Sequence, residues 1–432
     1  MAQSAVLKGL QISREIPYRD PDALFALVGT DGSGKNAYLP VGQTMLERHL
    51  LLLGSGATGK TNMLLQLARN LRANLTEDDC LVLFDPAGEF YQALYQKGDI
   101  VLSDDERACG EKPGDGWNLF SELPEDTRLT SDASALCEQL FRQRIAEAAE
   151  PFYAMAARDL TMALIVYLKR RGDPELCNNQ ALRELIEGFD AVSMCKILES
   201  QPELRGFCGY LDPAGGARAQ GVAATLQQSA RELLQGRFGQ KGGLGIRPLL
   251  SARGGKVIFI CYDSAGGEMI RPVFAALCDL TMRETLGRLR KDGRVYLLLD
   301  DFCLLPAMSH LEDGLLLGRG KGLHLILSAV GTGAIEGRYG AATASLLGAA
   351  GTTVAFRLQE KKSREYVKNL YGRHRVVETF HSAVQMRGMI EQVTDEYVVG
   401  DEDLTALQPG ESVIATMHYP PFRFRFKPYG GQ

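Results

Sequence analysis

Apolar positions along the chain follow two periods. The four leucines Leu50 to Leu53 form a short unbroken run that leads straight into a glycine-rich turn, as a strand covered on both faces would. After the turn, Met63, Leu64, Leu67, Leu71 and Leu75 recur at helical spacing. Cys80 to Phe84 reads as a second buried strand, ended by Asp85 and Pro86. From about Glu125 to Ser200 the pattern is helical throughout, with no convincing strand. Strand signals return at Val257 to Tyr262, Val295 to Leu299, Leu323 to Leu327 and Thr352 to Leu358, mostly with amphipathic helical stretches between them. Residues 1 to 45 are short extended pieces separated by turns such as Asp31-Gly32-Ser33-Gly34. Strands alternating with helices predict a parallel α/β sheet, and the all-helical block predicts an inserted subdomain.

Length and composition narrow this picture. At 432 residues the chain has room for two to three folding units, taking ~150 residues per domain. With 45% hydrophobic and 23% charged residues, wholesale disorder is excluded. No apolar run approaches the ~18 residues of a membrane-spanning helix; Leu50 to Leu53 and Met162 to Leu168 are far too short. The opening MAQSAVLKGL has no basic leader followed by an apolar core, so no secretory signal is expected. A net charge of −5 gives no support for strong non-specific nucleic-acid binding, although a ring or groove can gather basic side chains locally. None of the nine cysteines has C-x-x-C spacing, and most lie in apolar stretches, so buried thiols in a reducing cytosol are expected and zinc is not.

The strongest chemical signal is GSGATGKT: Gly54, Ser55, Gly56, Ala57, Thr58, Gly59, Lys60 and Thr61. It fits G-x-x-x-x-G-K-[ST] between a predicted strand and a predicted helix. Glycines let successive N–H groups converge on phosphates, Lys60 supplies a point charge, and the Thr61 hydroxyl can ligand Mg²⁺. The alternative is a ligand-free strand-to-helix turn. A second match, Gly29 to Lys35, has Asn36 in place of the Ser/Thr and Pro40 five residues after its lysine. That leaves no room for the helix whose N-terminus would hold a phosphate, so a hairpin turn is expected.

VYLLLDDF, Val295 to Phe302, carries the second nucleotide signal. Asp300 ends a buried strand, placed to hold Mg²⁺ through water, and Asp301 would face the γ-phosphate and polarise the attacking water. An ordinary strand-to-loop exit is the alternative.

Together these segments resemble the type IV secretion coupling proteins, the ring-forming DNA-translocating ATPases of bacterial conjugation. The resemblance runs from about His49 to Tyr429. ERHLLLLGSGATGKTNMLLQL is similar to the family's first strand and phosphate loop. CLVLFDPAGEF is similar to its second strand and D-P-x-G-E turn, and Trp117-Asn118 to its W-N pair. Glu125 to Ser200, including PFYAMAARDLTMALIVYL, looks like the inserted all-α domain, which accounts for the 240 positions between Lys60 and Asp300. GRGKGLHLIL, GRYG, FRLQEKKSREYVKNLYG and FRFRFKPY resemble the later elements.

The resemblance implies an α/β fold, RecA-like, with a central mostly parallel sheet and an inserted all-α domain. It implies three segments: 1–124 (N-terminal strands and the first part of the nucleotide-binding domain), 125–210 (the all-α domain) and 211–432 (the remainder). ATP and Mg²⁺ are the implied cofactors, with Lys60 on the phosphates, Thr61 and Asp300 on the metal and Asp301 beside the water. Arg319 falls where the family places an arginine finger for a neighbouring subunit. The implied partners are DNA, further copies in a homo-oligomeric, hexameric ring, and secretion or relaxosome proteins. No counterpart of the family's N-terminal membrane helices is expected, so the expected location is cytoplasmic, at the inner face of the membrane only through a membrane-anchored partner.

Three departures bear on activity. Asp300-Asp301 stands where Asp-Glu is usual, which draws the second carboxylate back by one C–C bond. Ala329-Val330 stands where the family has a glutamine sensor, and Val330 cannot hydrogen-bond a phosphate or water. The expected lack of a counterpart to the family's membrane helices would put docking in question. Basic clusters occur at Arg288, Arg290, Lys291 and Arg294, at Lys361, Lys362, Arg364 and Lys368, and at Arg373 to Arg375. Phe422, Phe424 and Phe426 alternate with Arg423, Arg425 and Lys427, a pattern that could stack bases but better fits an edge strand with one core face. Two functions follow: an ATP-hydrolysing DNA translocase, or a slow or inactive nucleotide-gated scaffold that recruits cargo. A small-molecule phosphoryl transferase fits the helical insertion poorly.

Overall fold

A computed structural model describes residues 3–105, 116–188, 190–212, 216–262, 267–381, 389–417 and 419–430. Cys109, counted among the expected buried thiols, lies outside the described residues. The chain divides into two compact units. The first comprises Met1–Asn74, Leu298–Cys303 and His324–Gln432, the second Leu75–Leu297 and Leu304–Leu323.

The first unit holds β1 (Gln3–Lys8), β2 (Ala23–Asp31), β3 (Asn36–Gly42), β4 (Leu50–Leu53), β9 (Leu323–Ala329), β10 (Thr352–Ala355), β11 (Arg373–His381), β12 (Met389–Tyr397), β13 (Glu411–Thr416) and β14 (Phe422–Phe426). Its main sheet runs β3-β2-β14-β13-β10-β4-β9. β4 pairs in parallel with β9 and β10, and β13, β14, β2 and β3 extend the sheet antiparallel. All four leucines of β4 are buried, as expected for a strand between two parallel neighbours. The helix after it runs Lys60–Ala73 and buries Met63, Leu64, Leu67, Ala68 and Leu71. It starts three residues ahead of the apolar pattern because its first turn is polar. A separate three-stranded sheet has the order β1-β11-β12.

Two local readings can now be settled. Gly29 to Lys35 is a hairpin turn between β2 and β3, in which the Asp31 carboxylate accepts the N–H groups of Ser33 (2.9 Å) and Lys35 (3.0 Å). β14 has the expected core face, with Phe422, Phe424 and Phe426 buried, but it is not an edge strand. It lies between β13 and β2, so its rings are enclosed by the sheet it helps to build and are closed to bases. The strand from Thr352 stops at Ala355, short of the expected Leu358.

The second unit holds β5 (Cys80–Asp85), β6 (Ile100–Ser103) and β7 (Lys256–Cys261), parallel in the order β5-β7-β6. β8 (Val295–Leu299) contains the point where the chain passes to the first unit. The block from Glu125 is helical as expected, with Leu129–Glu147, Pro151–Arg171, Asn179–Gly188 and Ala191–Glu199. Helix continues in Ala217–Leu233 and Ile246–Ala252 before β7 begins. Pro151–Arg171 is bounded by a proline at its first turn and a left-handed Gly172 (φ 66°), and it buries an almost continuous row from Ala154 to Leu168. Among the described residues, no helix is long and apolar enough to cross a membrane. The described cysteines are unbridged; Cys80, Cys137, Cys261 and Cys278 are buried, and burial pushes the Cys137 thiol up to about 12.

Trp117 and Asn118 act as a clasp in this unit. The Trp117 indole is fully buried and donates to Glu122 Oε1 (2.8 Å), which also accepts Ile246 N–H (2.7 Å), while Oε2 accepts Arg247 N–H (2.9 Å). Asn179 closes the other side, donating to the carbonyls of Trp117 and Phe238 and accepting Leu119 N–H. Burial pushes the Glu122 carboxyl up to about 7 despite its three donors. A raised folded value means that its stabilising contribution is complete below about pH 4.5 and is lost as pH rises through about 7. Glu122→Gln removes this titration and turns an amide N–H₂ toward a buried donor, a mismatch of about 1–3 kcal/mol. The expected result is a Tm lower by ~2–5 °C and a wild-type-minus-variant difference that shrinks between pH 5 and pH 8, read by thermal melts. Equal pH slopes would refute it.

Candidate nucleotide site

The site is built at the carboxyl end of β4, within the first unit. Gly54 N–H donates to Ala329 O (3.2 Å), and Ser55 N–H donates to Arg357 O (3.0 Å), fixing the loop's departure from the sheet. A side chain at Gly54 would put Cβ 2.7 Å from both Phe356 Cβ and Thr58 Oγ1, so only glycine fits. The Thr58 hydroxyl donates to Ser55 O (2.8 Å), and Thr58 O accepts Gly410 N–H (2.9 Å). Ala57 and Gly59 both have left-handed backbone (φ 57° and 106°), the second capping the Lys60 helix. The loop tip at Gly56 is open, with nothing within 4 Å of a hypothetical Cβ.

Lys60 is buried and turned back on its own loop. Its Nζ donates to Gly54 O (2.9 Å) and Ser55 O (3.4 Å) and lies 3.7 Å from Asp301 Oδ1. At that separation the lysine–aspartate contact is ionic rather than a hydrogen bond. Asp301 Oδ1 is buried and accepts no hydrogen bond. Burial pushes the Asp301 carboxyl above its ordinary value, Lys60 opposes the shift and Asp300 reinforces it. The Asp301 backbone is left-handed (φ 44°), an uncommon conformation outside glycine and asparagine.

Asp300 joins three elements. Its Oδ2 accepts from Thr61 Oγ1 (2.9 Å) and its Oδ1 from Ser328 Oγ (2.5 Å). Ser328 Oγ in turn accepts the Asp301 N–H (2.8 Å). Lys60, Thr61, Asp300 and Asp301 are therefore brought together. Ser328, which sequence reasoning missed, connects them; its signal was a hydroxyl in LHLILSA, a strand apolar apart from it and His324. Ala329 is buried and Val330 is about half exposed (47%) beyond the end of β9, so no polar side chain stands at these two positions. Arg319 lies exposed in the last turn of helix Leu311–Lys321, in the second unit, and neither unit taken by itself brings it to the phosphate loop.

These residues fit MgATP. Lys60 donates to two loop carbonyls, places that phosphate oxygens would take over, and Asp301 Oδ1, 3.7 Å away, accepts no hydrogen bond. Among the described residues no group of three or more His, Cys, Asp or Glu could hold a metal unaided. Mg²⁺ would thus enter with the phosphates, on Thr61 and Asp300, as is usual for this ion. The basic clusters are largely matched by carboxylates: Lys362 by Glu336, Arg364 and Lys368 by Asp401, Arg375 by Asp395 and Arg294 by Asp79.

A family profile described as the type IV secretion-system coupling protein DNA-binding domain matches residues 33–426. The bacterial conjugative coupling protein TrwBΔN70, in its unbound form, superposes with a TM-score of 0.76 at 19% identity, covering 98% of this chain and 93% of that one. TrwB in complex with ADP and Mg²⁺ gives 0.75 at 18% identity, covering 99% and 95%. VirB4 of Thermoanaerobacter pseudethanolicus gives 0.59 at 13% identity, covering 95% and 98%. These likenesses establish a RecA-like P-loop α/β fold. No curated protein sequence matches the chain.

Asp301→Asn is expected to tighten binding of a fluorescent MgATP analogue by ~5-fold or more (~1 kcal/mol). It removes a negative charge that competes with phosphate for Lys60. Unchanged affinity in equilibrium titration would mean the carboxylate does not hold the lysine back.

Proposed function

Because this chain belongs to the type IV secretion-system coupling protein family, matched over residues 33–426, we propose that it is an ATP-hydrolysing DNA translocase of a secretion or conjugation system. The observation that carries this reading is the closed set Lys60, Thr61, Asp300 and Asp301 around one phosphate loop. When bound, MgATP supplies the phosphoanhydride and a metal that neutralises its charge. The chain's part is to hold and orient. Backbone N–H groups of Gly56 to Thr61 and the dipole of the Lys60 helix receive the phosphates, and Lys60 Nζ leaves its loop carbonyls for them. Thr61 Oγ1 donates to Asp300, which leaves the oxygen's lone pairs for Mg²⁺. Asp301 sits where a base would orient water, and its shorter side chain makes hydrolysis slow without a further stimulus.

DNA is the proposed cargo, on the strength of the family's DNA-binding domain. Assembly into a homo-oligomeric, hexameric ring supplies Arg319 to a neighbour's site. Secretion or relaxosome proteins, and a membrane-anchored partner at the inner face, complete the proposal. The division 1–124, 125–210 and 211–432 is part of it, with the qualification that helix Ala217–Leu233 packs on Pro151–Arg171 and would move with the insertion. A second reading, a slow nucleotide-gated scaffold that recruits cargo, is favoured by the Asp301–Lys60 contact and by apolar Val330.

Phosphate release measured with and without single- and double-stranded DNA tests the main reading. Hydrolysis that rises several-fold with DNA and vanishes in Lys60→Ala is expected; measurable ATP binding with no turnover under any condition would favour the scaffold. Arg319 has its own test. Mixing inactive Lys60→Ala and Arg319→Ala subunits is expected to restore part of the activity, since one brings an intact loop and the other an intact arginine. No rescue after verified subunit exchange would rule out action between subunits.

A further inference from the structure

We infer that Ser328 is a positioning residue for the acid pair, a role that rests on the nucleotide reading above. Ser328 is fully buried at the carboxyl end of β9, beside the end of the acidic strand. Its hydroxyl is used in both senses. The O–H donates to Asp300 Oδ1 (2.5 Å), and the oxygen accepts Asp301 N–H (2.8 Å). One side chain thus fixes a carboxylate and the backbone of the next residue.

The first bond sets the direction of Asp300. An aspartate end group is otherwise able to rotate about its terminal bond. With Oδ1 held by Ser328, Oδ2 is left aimed at Thr61 Oγ1 (2.9 Å), the pair that would hold Mg²⁺. The second bond supports the left-handed turn at Asp301 (φ 44°), a conformation that is uncommon outside glycine though more accessible to Asn and Asp than to most residues. That turn puts Asp301 Oδ1 3.7 Å from Lys60 Nζ. Ser328 touches neither phosphate nor metal in this scheme and acts through Asp300 and Asp301. The arrangement also places a hydroxyl one residue before the two apolar positions Ala329 and Val330, so that polar control of the site from β9 passes to the metal side.

A purely structural serine and a positioning serine differ in what their loss changes. The probe is a fluorescent ATP analogue, titrated at fixed protein with Mg²⁺ varied, and separately in excess EDTA. For Ser328→Ala we expect the Mg²⁺ concentration for half-maximal enhancement of binding to rise about tenfold, with affinity in EDTA within twofold of wild type. Ser328→Thr, which keeps the hydroxyl, should restore the wild-type requirement. In an Asp300→Asn background Ser328→Ala should add nothing, because the group it positions is already disabled. Ser328→Cys, close in size and a weak donor, gives the same comparison if the alanine variant melts early. An unchanged Mg²⁺ requirement in the alanine or cysteine variant, equal losses with and without Mg²⁺, or a full additional loss on top of Asp300→Asn would each overturn the assignment. Failure of the wild type to bind the analogue at all is a different result and would sink the nucleotide reading itself.

Discussion

The site depends on one buried carboxylate. Asp300 accepts Thr61 on one oxygen and Ser328 on the other, and so ties the start of the helix after the phosphate loop to the ends of two strands. A buried carboxylate is tolerable only when it is hydrogen-bonded, and each of its oxygens accepts one hydroxyl here. The consequence is that the first turn of the Lys60 helix, the end of β9 and the residue after the acidic strand are held at one spot, at the carboxyl ends of β4 and β9. That is where an open α/β sheet gathers its ligand-binding groups, and where this sequence puts Gly54, Asp300 and Ser328.

Lys60 and Asp301 form the complementary half. In the absence of phosphate the lysine needs partners, because a buried ammonium without them is expensive. Two loop carbonyls and Asp301 provide them. The same contacts keep the loop folded in its ligand-ready shape, and they also compete with the ligand. A carboxylate beside the lysine is repelled by a phosphate that takes the same place. The site therefore contains both the attraction for nucleotide and a built-in opposition to it, within four angstroms.

Much of this was legible in the sequence, and the reasons are local. The phosphate loop is a run of adjacent residues with strict chemical demands, and the strand and helix on either side announce themselves by period. The hairpin at Asp31 was readable because Pro40 forbids a helix there. The Trp117-Asn118 pair was legible as a motif but not as a clasp, since Glu122, Asn179 and the adjacent Ile246 and Arg247 come from three places in the chain. The role of Ser328 was illegible for the same reason: its partners lie 28 and 27 positions away in sequence, and one hydroxyl in a mostly apolar strand has no periodic signature. β14 was misjudged as an edge because alternation reports two unlike faces and is silent on whether another strand lies alongside.

The two substitutions that set this chain apart from its family's usual pattern have one structural context. Shortening the second acid to Asp301 draws a carboxylate toward Lys60 and away from the space beyond it, and replacing the sensor with Ala329-Val330 removes a polar group from the end of β9. Either change alone would leave a half-furnished water site. Together they leave Asp301, beside Lys60, as the polar group on that side, while the other side keeps Thr61, Asp300 and Ser328 interlocked. On the proposed reading, the interlocked groups are those that would hold MgATP and the altered positions are those that would face water, which is the physical ground for expecting slow hydrolysis without a further stimulus.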